Sequence, residues 1–500
     1  MQVHEKKVNI TKELDFFKKL SEKVSDCFGF EVDFSHQIWD EEVSFKAEAT
    51  HSLGLPSDYY VSLTRKLFKR LSKITDDYYN CFGLSNYTNV GFINNIIKDL
   101  SLSLIFDNYK VLDHGSQKYE DLINELKDIG SRSYEGKAVD IGVIYCPTTL
   151  ALTQILQIKD ADFISLPTAK SIKEFFNEEK PFLRLIDNMS LSIVINSEFK
   201  VIAIMRKKAA KKSLNYLLED EFNIYLKHRL HIVAINHFFN TMKEILNKAG
   251  NKKFQSELEK LRKDFKKLEK YNIDKLRAEN VKSPEYTYFS IQSSKMKIFT
   301  KNEFVLTYSN GDWKLKHYNF IRSIITNYLR VHKFRDLVAS FVDLKPDKIL
   351  RIFKKIIGST DKLVEKLLRL SESNISAIIL IDQQPKNKGS KVNTVLKSRK
   401  KPEPYYLNVL KNKRNNMNIE NVDYYLFESI ASIDGALILD IDLKILSFGE
   451  IINTSAKVYP DTYGTGTTAA RYASNSSLAI KVSEDGDIYI FDQENLRLKI

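Results

Sequence analysis

Three observations predict an α/β fold. Apolar runs of strand length occur at 138–145, 375–382 and 478–491, the last folded back on itself. Amphipathic stretches, with apolar residues at three- and four-residue steps, occur at 14–24, 61–74 and 254–268. The two textures also alternate along the chain, as they do when helices cover sheets. The expected order is a mainly helical region over residues 1–133, an α/β unit over 134–210, a helical connector with a short coiled-coil-like seam over 211–283, and a second α/β domain over 284–500.

Each element has a local reason. Thr11 can cap a helix whose apolar face includes Leu14, Phe17, Leu20 and Val24. Val61 to Ile74 repeats that pattern, with Lys66, Lys69 and Arg70 on a solvated side. Ala138 to Tyr145 is an apolar run broken by Asp140 and ended by Pro147, which reads as a buried strand. Leu191–Ile195 and Phe199–Met205 flank Asn196-Ser-Glu198 and predict a hairpin, with a helix over Ala169 to Asn177 between the strands of the unit. Phe254, Leu258, Leu261, Phe265 and Leu268 space alternately by four and three, giving two heptads, so a helical hairpin or connector is expected rather than a dimer zipper.

A boundary is expected near Pro284. Tyr286 to Ile298 alternates, and Phe304–Tyr308 with Trp313–His317 make a hairpin around Asn310-Gly311. Helices over Phe320–Arg330 and Pro346–Leu370 lead into the apolar strand Ile375–Asp382. Gln383 to Pro404 is then a basic loop carrying Lys386, Lys388, Lys391, Lys397, Arg399, Lys400 and Lys401.

Composition narrows the class. The 500 residues are 43% hydrophobic and 28% charged, an ordinary globular balance that excludes wholesale disorder. A net charge of +13 fits a polyanionic partner, although a lysine-rich proteome gives the same excess without function. Cys27, Cys81 and Cys146 are far apart and odd in number, and are read as buried thiols in a reducing cytoplasm. No signal-like leader or bilayer-length apolar run occurs, so a cytoplasmic protein without membrane attachment is expected. His228, His231 and His237 lack further ligands at metal-site spacing, so no zinc site is assigned to them.

Candidate chemistry gathers near the carboxyl terminus. Asp434-Gly435-Ala436 places a carboxylate at the entrance of an apolar strand. Gly464-Thr465-Gly466-Thr467-Thr468 opens a helix, where free backbone N–H groups favour an anion and missing Cβ atoms allow close approach. Val482-Ser483-Glu484 ends a buried strand, and Asp485-Gly486 turns it into a returning one. Taken singly these are also a turn, a capped helix entry and a hairpin. In this order they suggest a nucleotide site.

The same three blocks resemble the nucleotidyl-cyclase domain of DisA-type diadenylate cyclases, whose motifs are Asp-Gly-Ala, Gly-Thr-Arg-His-Arg-Ala-Ala and Val-Ser-Glu. Gly464-Thr465 and Ala469-Ala470 match the edges of the second block, but Gly466-Thr467-Thr468 stand where the family has Arg-His-Arg. No histidine follows His332 to replace the lost one. The resemblance implies a carboxyl-terminal domain with a central mixed β-sheet flanked by helices. It also implies a nucleotide ligand (ATP or a cyclic dinucleotide), Mg²⁺ or Mn²⁺, and self-association. By that resemblance Asp434 is the catalytic carboxylate in an active enzyme. Asp434, Gly435, Ala436, Gly464, Thr465, Gly466, Thr467, Thr468, Arg471, Ser483 and Glu484 would line the nucleotide, and Asp434 with Glu484 would meet the metal.

Three readings follow. The favoured one is a catalytically degenerate sensor of a nucleotide or cyclic dinucleotide, similar to the DACNV type. The alternatives are an active diadenylate cyclase that condenses two ATP, and a basic nucleic-acid-binding or scaffold protein.

Overall fold

The computed structural model describes the chain except residues 1, 40–41, 50–56, 83–89, 135–136, 139, 179–190, 209–212, 249–254, 280, 293–294, 317, 340–345, 383–390, 398–416 and 455–462. The chain forms two compact units. One comprises Met1–Thr50, Val61–Ile232 and Lys275–His317; the other comprises His51–Tyr60, Val233–Asp274 and Tyr318–Ile500.

In chain order, the elements from the amino terminus are helix α1 (Gln2–Phe28), strands β1 (Val32–Trp39) and β2 (Glu42–Ala49), and helices α2 (Ser57–Phe82), α3 (Val90–Ile105) and α4 (Gln117–Gly130). Short strands β3 (Ser133–Tyr134) and β4 (Lys137–Ala138) precede β5 (Asp140–Tyr145), α5 (Thr149–Leu156), β6 (Ala161–Ser171), α6 (Ile172–Glu178), β7 (Leu191–Ile195) and β8 (Lys200–Lys207). Two long helices follow, α7 (Leu214–Lys248) and α8 (Gln255–Ala278), then strands β9 (Thr287–Gln292), β10 (Lys295–Phe299), β11 (Val305–Ser309) and β12 (Asp312–Leu315). The remaining elements are α9 (Tyr318–Ala339), α10 (Pro346–Glu372), β13 (Ala377–Asp382), α11 (Tyr424–Ala431), β14 (Ala436–Leu439), β15 (Ile445–Glu450), α12 (Thr465–Ala473), β16 (Ser477–Val482), β17 (Ile488–Asp492) and β18 (Asn495–Lys499). The protein is therefore mixed α/β, as its patterning predicts.

The first unit is built on an eight-stranded sheet ordered β12-β11-β10-β9-β5-β7-β8-β6. Only β5 and β7 run parallel within it. Leu214, Leu218, Phe222 and Leu226 of α7 pack with Ile144, Val194, Met205, Tyr288 and Phe299 to form one core. Phe106, Tyr119, Tyr145, Phe199 and Phe289 make an aromatic cluster, with ring centroids 4.7 to 6.4 Å apart. Asn310 and Gly311, both at positive φ, close the β11–β12 hairpin as the Asn-Gly pair predicts.

Several details differ from the sequence expectation. The boundary expected at 284 does not separate the sheets: β9 pairs with β5 in full register, from Asp140↔Gln292 to Tyr145↔Thr287, so the 287–315 strands belong to the first unit. Thr287 to Ile291 are buried without alternation, which requires a central place in a sheet covered on both faces. The 1–133 region expected to be mainly helical also holds the β1–β2 hairpin, whose Phe45 and Ala47 are buried. The helix expected from Ala169 begins at Ile172, because Lys170 and Ser171 still pair with β8. Arg70 is half-buried and donates to the Ser103 carbonyl, so only its neighbours Lys66 and Lys69 make a solvated face. Cys27 and Cys146 are buried, but Cys81 is exposed.

In the second unit, Phe238 and Phe239 of α7 meet Phe265 of α8, and Phe238 stacks on Phe353 of α10 at 4.6 Å. Phe265 of the seam read from the 254–268 spacing thus packs within the chain, while Phe254 and the side chain of Leu258 lie outside what is described. The sheet of this unit has six strands in the order β15-β14-β13-β16-β17-β18. Only β13 and β14 run parallel within it. Helix α12 covers one face, where Ala470 and Ala473 pack on Leu380, Ile438, Ala479 and Phe491. The Tyr328 hydroxyl of α9 donates to the Ile381 carbonyl at 3.1 Å, and α10 and α11 also pack on this sheet. A central mixed sheet flanked by helices is thus what this unit contains.

Candidate functional site

Strand register decides which of the three sequence blocks can meet. Ile378 of β13 is paired with Ala436 of β14 on one side and with Lys481 of β16 on the other. Because β14 is parallel to β13 and β16 is antiparallel, Asp434-Gly435 before β14 and Ser483-Glu484 after β16 emerge at the same end of the sheet. Helix α12 leads through Ser474–Ser476 into β16, which runs back alongside it. The start of α12 therefore lies at that same end. The Asp434 and Gly464–Thr468 blocks share one end of one sheet.

Gly435 is where sequence dictates geometry. Its φ is +110°, and a Cβ there would stand 2.7 Å from the Gly449 carbonyl carbon and 2.8 Å from Glu450 N. Both the backbone conformation and the close approach of β15 require glycine. The turn leaves Asp434 exposed at the strand entrance while Ala436, Leu437, Ile438 and Leu439 are buried behind it.

Helix α12 begins at Gly464, whose extended φ of −61° and ψ of 161° suit an N-cap that offers no capping side chain. The helix backbone bond from Thr468 N to Gly464 O, 3.0 Å, is the first of the helix, so the N–H groups just before it are not used in this way. A Cβ added at Gly464 would meet nothing within 4 Å. Thr465 is exposed and Thr467 is buried, while the Thr468 hydroxyl donates to the Tyr463 carbonyl at 3.4 Å.

Beneath this helix start lies Lys481, which the sequence reading did not single out. It is 7% exposed and shares the α12-covered face with Ile378 and Ala436. Its ammonium donates to the Ser376 hydroxyl just before β13. Burial pushes its pKa down, and the Glu484 carboxylate opposes that shift. The signal was present in the sequence, since Lys481 is the one charged residue of the apolar run Leu478-Ala-Ile-Lys-Val482.

Other candidates lie elsewhere or are occupied. Arg471, expected beside the phosphates, is in the last turn of α12, and its Nε donates to the Glu494 carbonyl at 2.9 Å. Glu494 follows β17 at the Leu478↔Asp492 end of β16, opposite Asp434. Helical rise explains the discrepancy: six residues beyond Thr465, Arg471 is about 9 Å further along the axis. The Ser483 hydroxyl accepts from Asp487 N at 3.1 Å and so belongs to the hairpin turn. Glu484 is exposed. No group of three or more His, Cys, Asp or Glu that could hold a metal ion occurs among the described residues. Lys386, Lys388, Arg399, Lys400 and Lys401 of the basic loop lie outside the described residues, whereas Val392 and Val395 pack into the α12-side core.

No family model and no curated protein matches the chain. Among solved structures, it is similar to a double mutant of DacA from Staphylococcus aureus, at 17% identity over 29% of this chain and 87% of that one, with a TM-score of 0.21. It is also similar to a hypothetical membrane spanning protein from Bacillus cereus, at 14% identity over 57% of this chain and 98% of that one, with a TM-score of 0.23. The likeness to a diadenylate cyclase is thus weak and partial, and scores this low carry no argument about the site. No described helix is long and apolar enough to cross a membrane.

Proposed function

We propose that the carboxyl-terminal unit binds a nucleotide or cyclic dinucleotide at the Asp434 end of its six-stranded sheet, and that it acts as a degenerate diadenylate-cyclase-like sensor. The observation that supports this is a register: Lys481, Ile378 and Ala436 are lateral neighbours on one face, under an uncapped helix start that follows glycine. Two strand spacings put the Lys481 and Ala436 backbones about 10 Å apart, a span a nucleotide bridges.

Chemistry at this site is limited by charge. Where the family resemblance leads one to expect three basic side chains, Gly466 and Thr467 offer backbone N–H groups, while the N–H and hydroxyl of Thr468 are engaged by Gly464 and Tyr463. Each charge-assisted contact missing from a phosphate is worth roughly 1.5–3 kcal/mol. Losing such donors around a leaving pyrophosphate lowers rate more than ground-state binding, by about 10²-fold or more. Asp434 and Glu484 are the carboxylates that would meet a Mg²⁺ or Mn²⁺ brought in with a nucleotide, whose phosphates and waters would complete its shell. Such an ion would supply charge neutralisation.

One observation favours the second reading, an active cyclase. Asp434, which would assist a 3′-hydroxyl, is exposed at the same sheet end as a cation, Lys481. The two readings separate when purified protein is incubated with ATP, GTP or cyclic di-AMP and Mg²⁺ or Mn²⁺, and bound and converted nucleotide are resolved by chromatography. Retained, unconverted nucleotide is the expected result. A dinucleotide product that disappears in Asp434→Asn would establish the enzyme instead, and no retention of any nucleotide would sink both.

A further inference from the structure

We propose that Lys481 is the phosphate-binding cation of this site and that it matches the site to a phosphodiester rather than to a nucleoside triphosphate. The inference rests on the nucleotide reading above and adds to it an anchoring residue and a charge class.

A buried ammonium needs a counter-charge. Taking a lysine out of water costs several kcal/mol unless an anion or a full set of acceptors replaces the solvent. The same unit contains a buried cation that follows this rule: Arg322 meets the Asp361 carboxylate at 3.2 Å, with both side chains under 10% exposed. Lys481 does not follow it. Its face of the sheet is otherwise built from Leu380, Ile438, Ala479 and Phe491. Among the described residues its hydrogen-bond acceptor is one hydroxyl, Ser376, and no carboxylate stands within ion-pair distance. Glu484 acts on it only electrostatically.

The neighbour of the ammonium on the helix side is a glycine. A Cβ at Gly466 would stand 3.4 Å from Lys481 Nζ and 3.1 Å from its Cε, so the absent side chain is what lets the lysine reach the helix start. There the α12 N-terminus carries no side-chain cap. The helix start and the ammonium beneath Gly466 each favour negative charge.

The charge count selects the ligand. Two cations share this row of the sheet, but Lys499, reached from Lys481 through Tyr489, already meets the Asp487 carboxylate at 3.7 Å, and Arg471 is at the other end of α12, so Lys481 is the one without a carboxylate in contact among the described residues. Asp434 and Glu484 add negative charge nearby. A triphosphate brings several charges to a site where, among the described residues, one ammonium lacks a carboxylate in contact and two exposed carboxylates stand nearby, whereas a phosphodiester brings a single charge for each phosphate. One lysine and one helix start balance the latter. The ligand class is therefore a small phosphodiester such as a cyclic dinucleotide.

The test is equilibrium binding to the full chain of labelled cyclic di-AMP, cyclic di-GMP and ATP, with and without Mg²⁺. Lys481→Met, Lys481→Gln and Ser376→Ala are compared with the unaltered protein, and melting and circular dichroism verify folding. The expected result is tighter binding of a cyclic dinucleotide than of ATP. Its affinity should fall roughly 10- to 100-fold in both Lys481 variants, with little change in Ser376→Ala. Unlabelled oligoadenylate should not compete. If folded Lys481 variants bind the dinucleotide as the unaltered protein does, the anchor is wrong while nucleotide binding stands. Preference for ATP overturns the charge class, and competition by oligoadenylate overturns the small ligand. Absence of all nucleotide binding removes the underlying reading and this inference with it.

Discussion

Gly466 and Lys481 are fitted to each other across the helix–strand layer: a methyl group at the glycine would stand 3.1 Å from Lys481 Cε. That contact is tighter than ordinary van der Waals distance, but its partner is the flexible end of a side chain. Gly466→Ala should therefore push the ammonium aside at little cost to the fold. In a helix, alanine for glycine is worth about 0.5–1 kcal/mol of added propensity, which offsets the repacking. Melting temperature is expected to change by only a few degrees, while affinity for an anionic ligand drops roughly tenfold, as measured by titration calorimetry. An equal loss of stability and binding would mean that the glycine serves the fold alone.

Gly435→Ala is expected to behave in the opposite way. Here the added Cβ meets backbone atoms of Gly449 and Glu450 at 2.7–2.8 Å, and φ is +110°. Neither can give without moving the β14–β15 pair. Strain at such a position costs on the order of 1–3 kcal/mol, and the steric overlap adds to it. Urea unfolding followed by fluorescence should show a lowered midpoint with the slope preserved. An unchanged midpoint would mean that the strand entrance relaxes freely, and Asp434 would then not be held in place.

How far the sequence led to this arrangement depends on the range of the signal. Asn310-Gly311, Gly435 and Gly486 act within a few residues, so the turns they form were readable directly. The apolar runs around Ile379 and Ile480 announced buried strands for the same reason. Which strands share a sheet is a long-range matter, and the Pro284 boundary shows it: β9 looks like the start of a new domain until its unalternating burial is matched with β5, some 150 residues earlier along the chain. The Asp434 and Gly464 blocks were legible as motifs. Lys481 was passed over because one lysine in an apolar run reads as ordinary until register places it under a helix start. Arg471 looks close to the Gly464 block in the linear sequence, but the helix axis carries it to the other end of α12.

Lys481 also predicts a pH dependence. Burial lowers its folded-state pKa below the unfolded value of about 10.4. The native state then binds fewer protons than the unfolded one between those two values, so unfolding free energy rises with pH across that window. Below the lowered pKa both states are protonated and the penalty of the buried charge is fully present. Anion binding needs the ammonium, so ligand affinity should fall as pH rises through the lowered pKa, even as the ligand-free protein gains stability. Glu484 is the acid acting on this lysine. Comparing pH-dependent melting of the unaltered protein with Lys481→Met isolates the effect: the slope should be shallower in the variant. Parallel curves would show that the lysine titrates alike in both states.

The first unit holds a buried carboxylate, Asp99, with no cation in direct contact among the described residues. Asp99 is 3% exposed and accepts from the Tyr78 hydroxyl at 2.7 Å and the Tyr109 hydroxyl at 2.8 Å. Burial pushes its pKa up, and the two tyrosine hydrogen bonds with Lys98 hold it partly back. An acid whose folded pKa is raised binds its proton more tightly in the native state. Its contribution to stability therefore increases as pH falls from that raised value towards the unfolded value of about 3.9. Asp99→Ala strands two buried hydroxyls and should cost about 2–4 kcal/mol, since each bond to a charged group is worth about 1.5–3 kcal/mol and relaxation recovers part. Tyr78→Phe should cost about half as much. The Tyr78→Phe, Asp99→Ala double variant should then lose less than the sum, because the phenylalanine leaves no hydroxyl to strand. Chemical denaturation of the four proteins closes that cycle, and strict additivity would show that Tyr78 and Asp99 act independently.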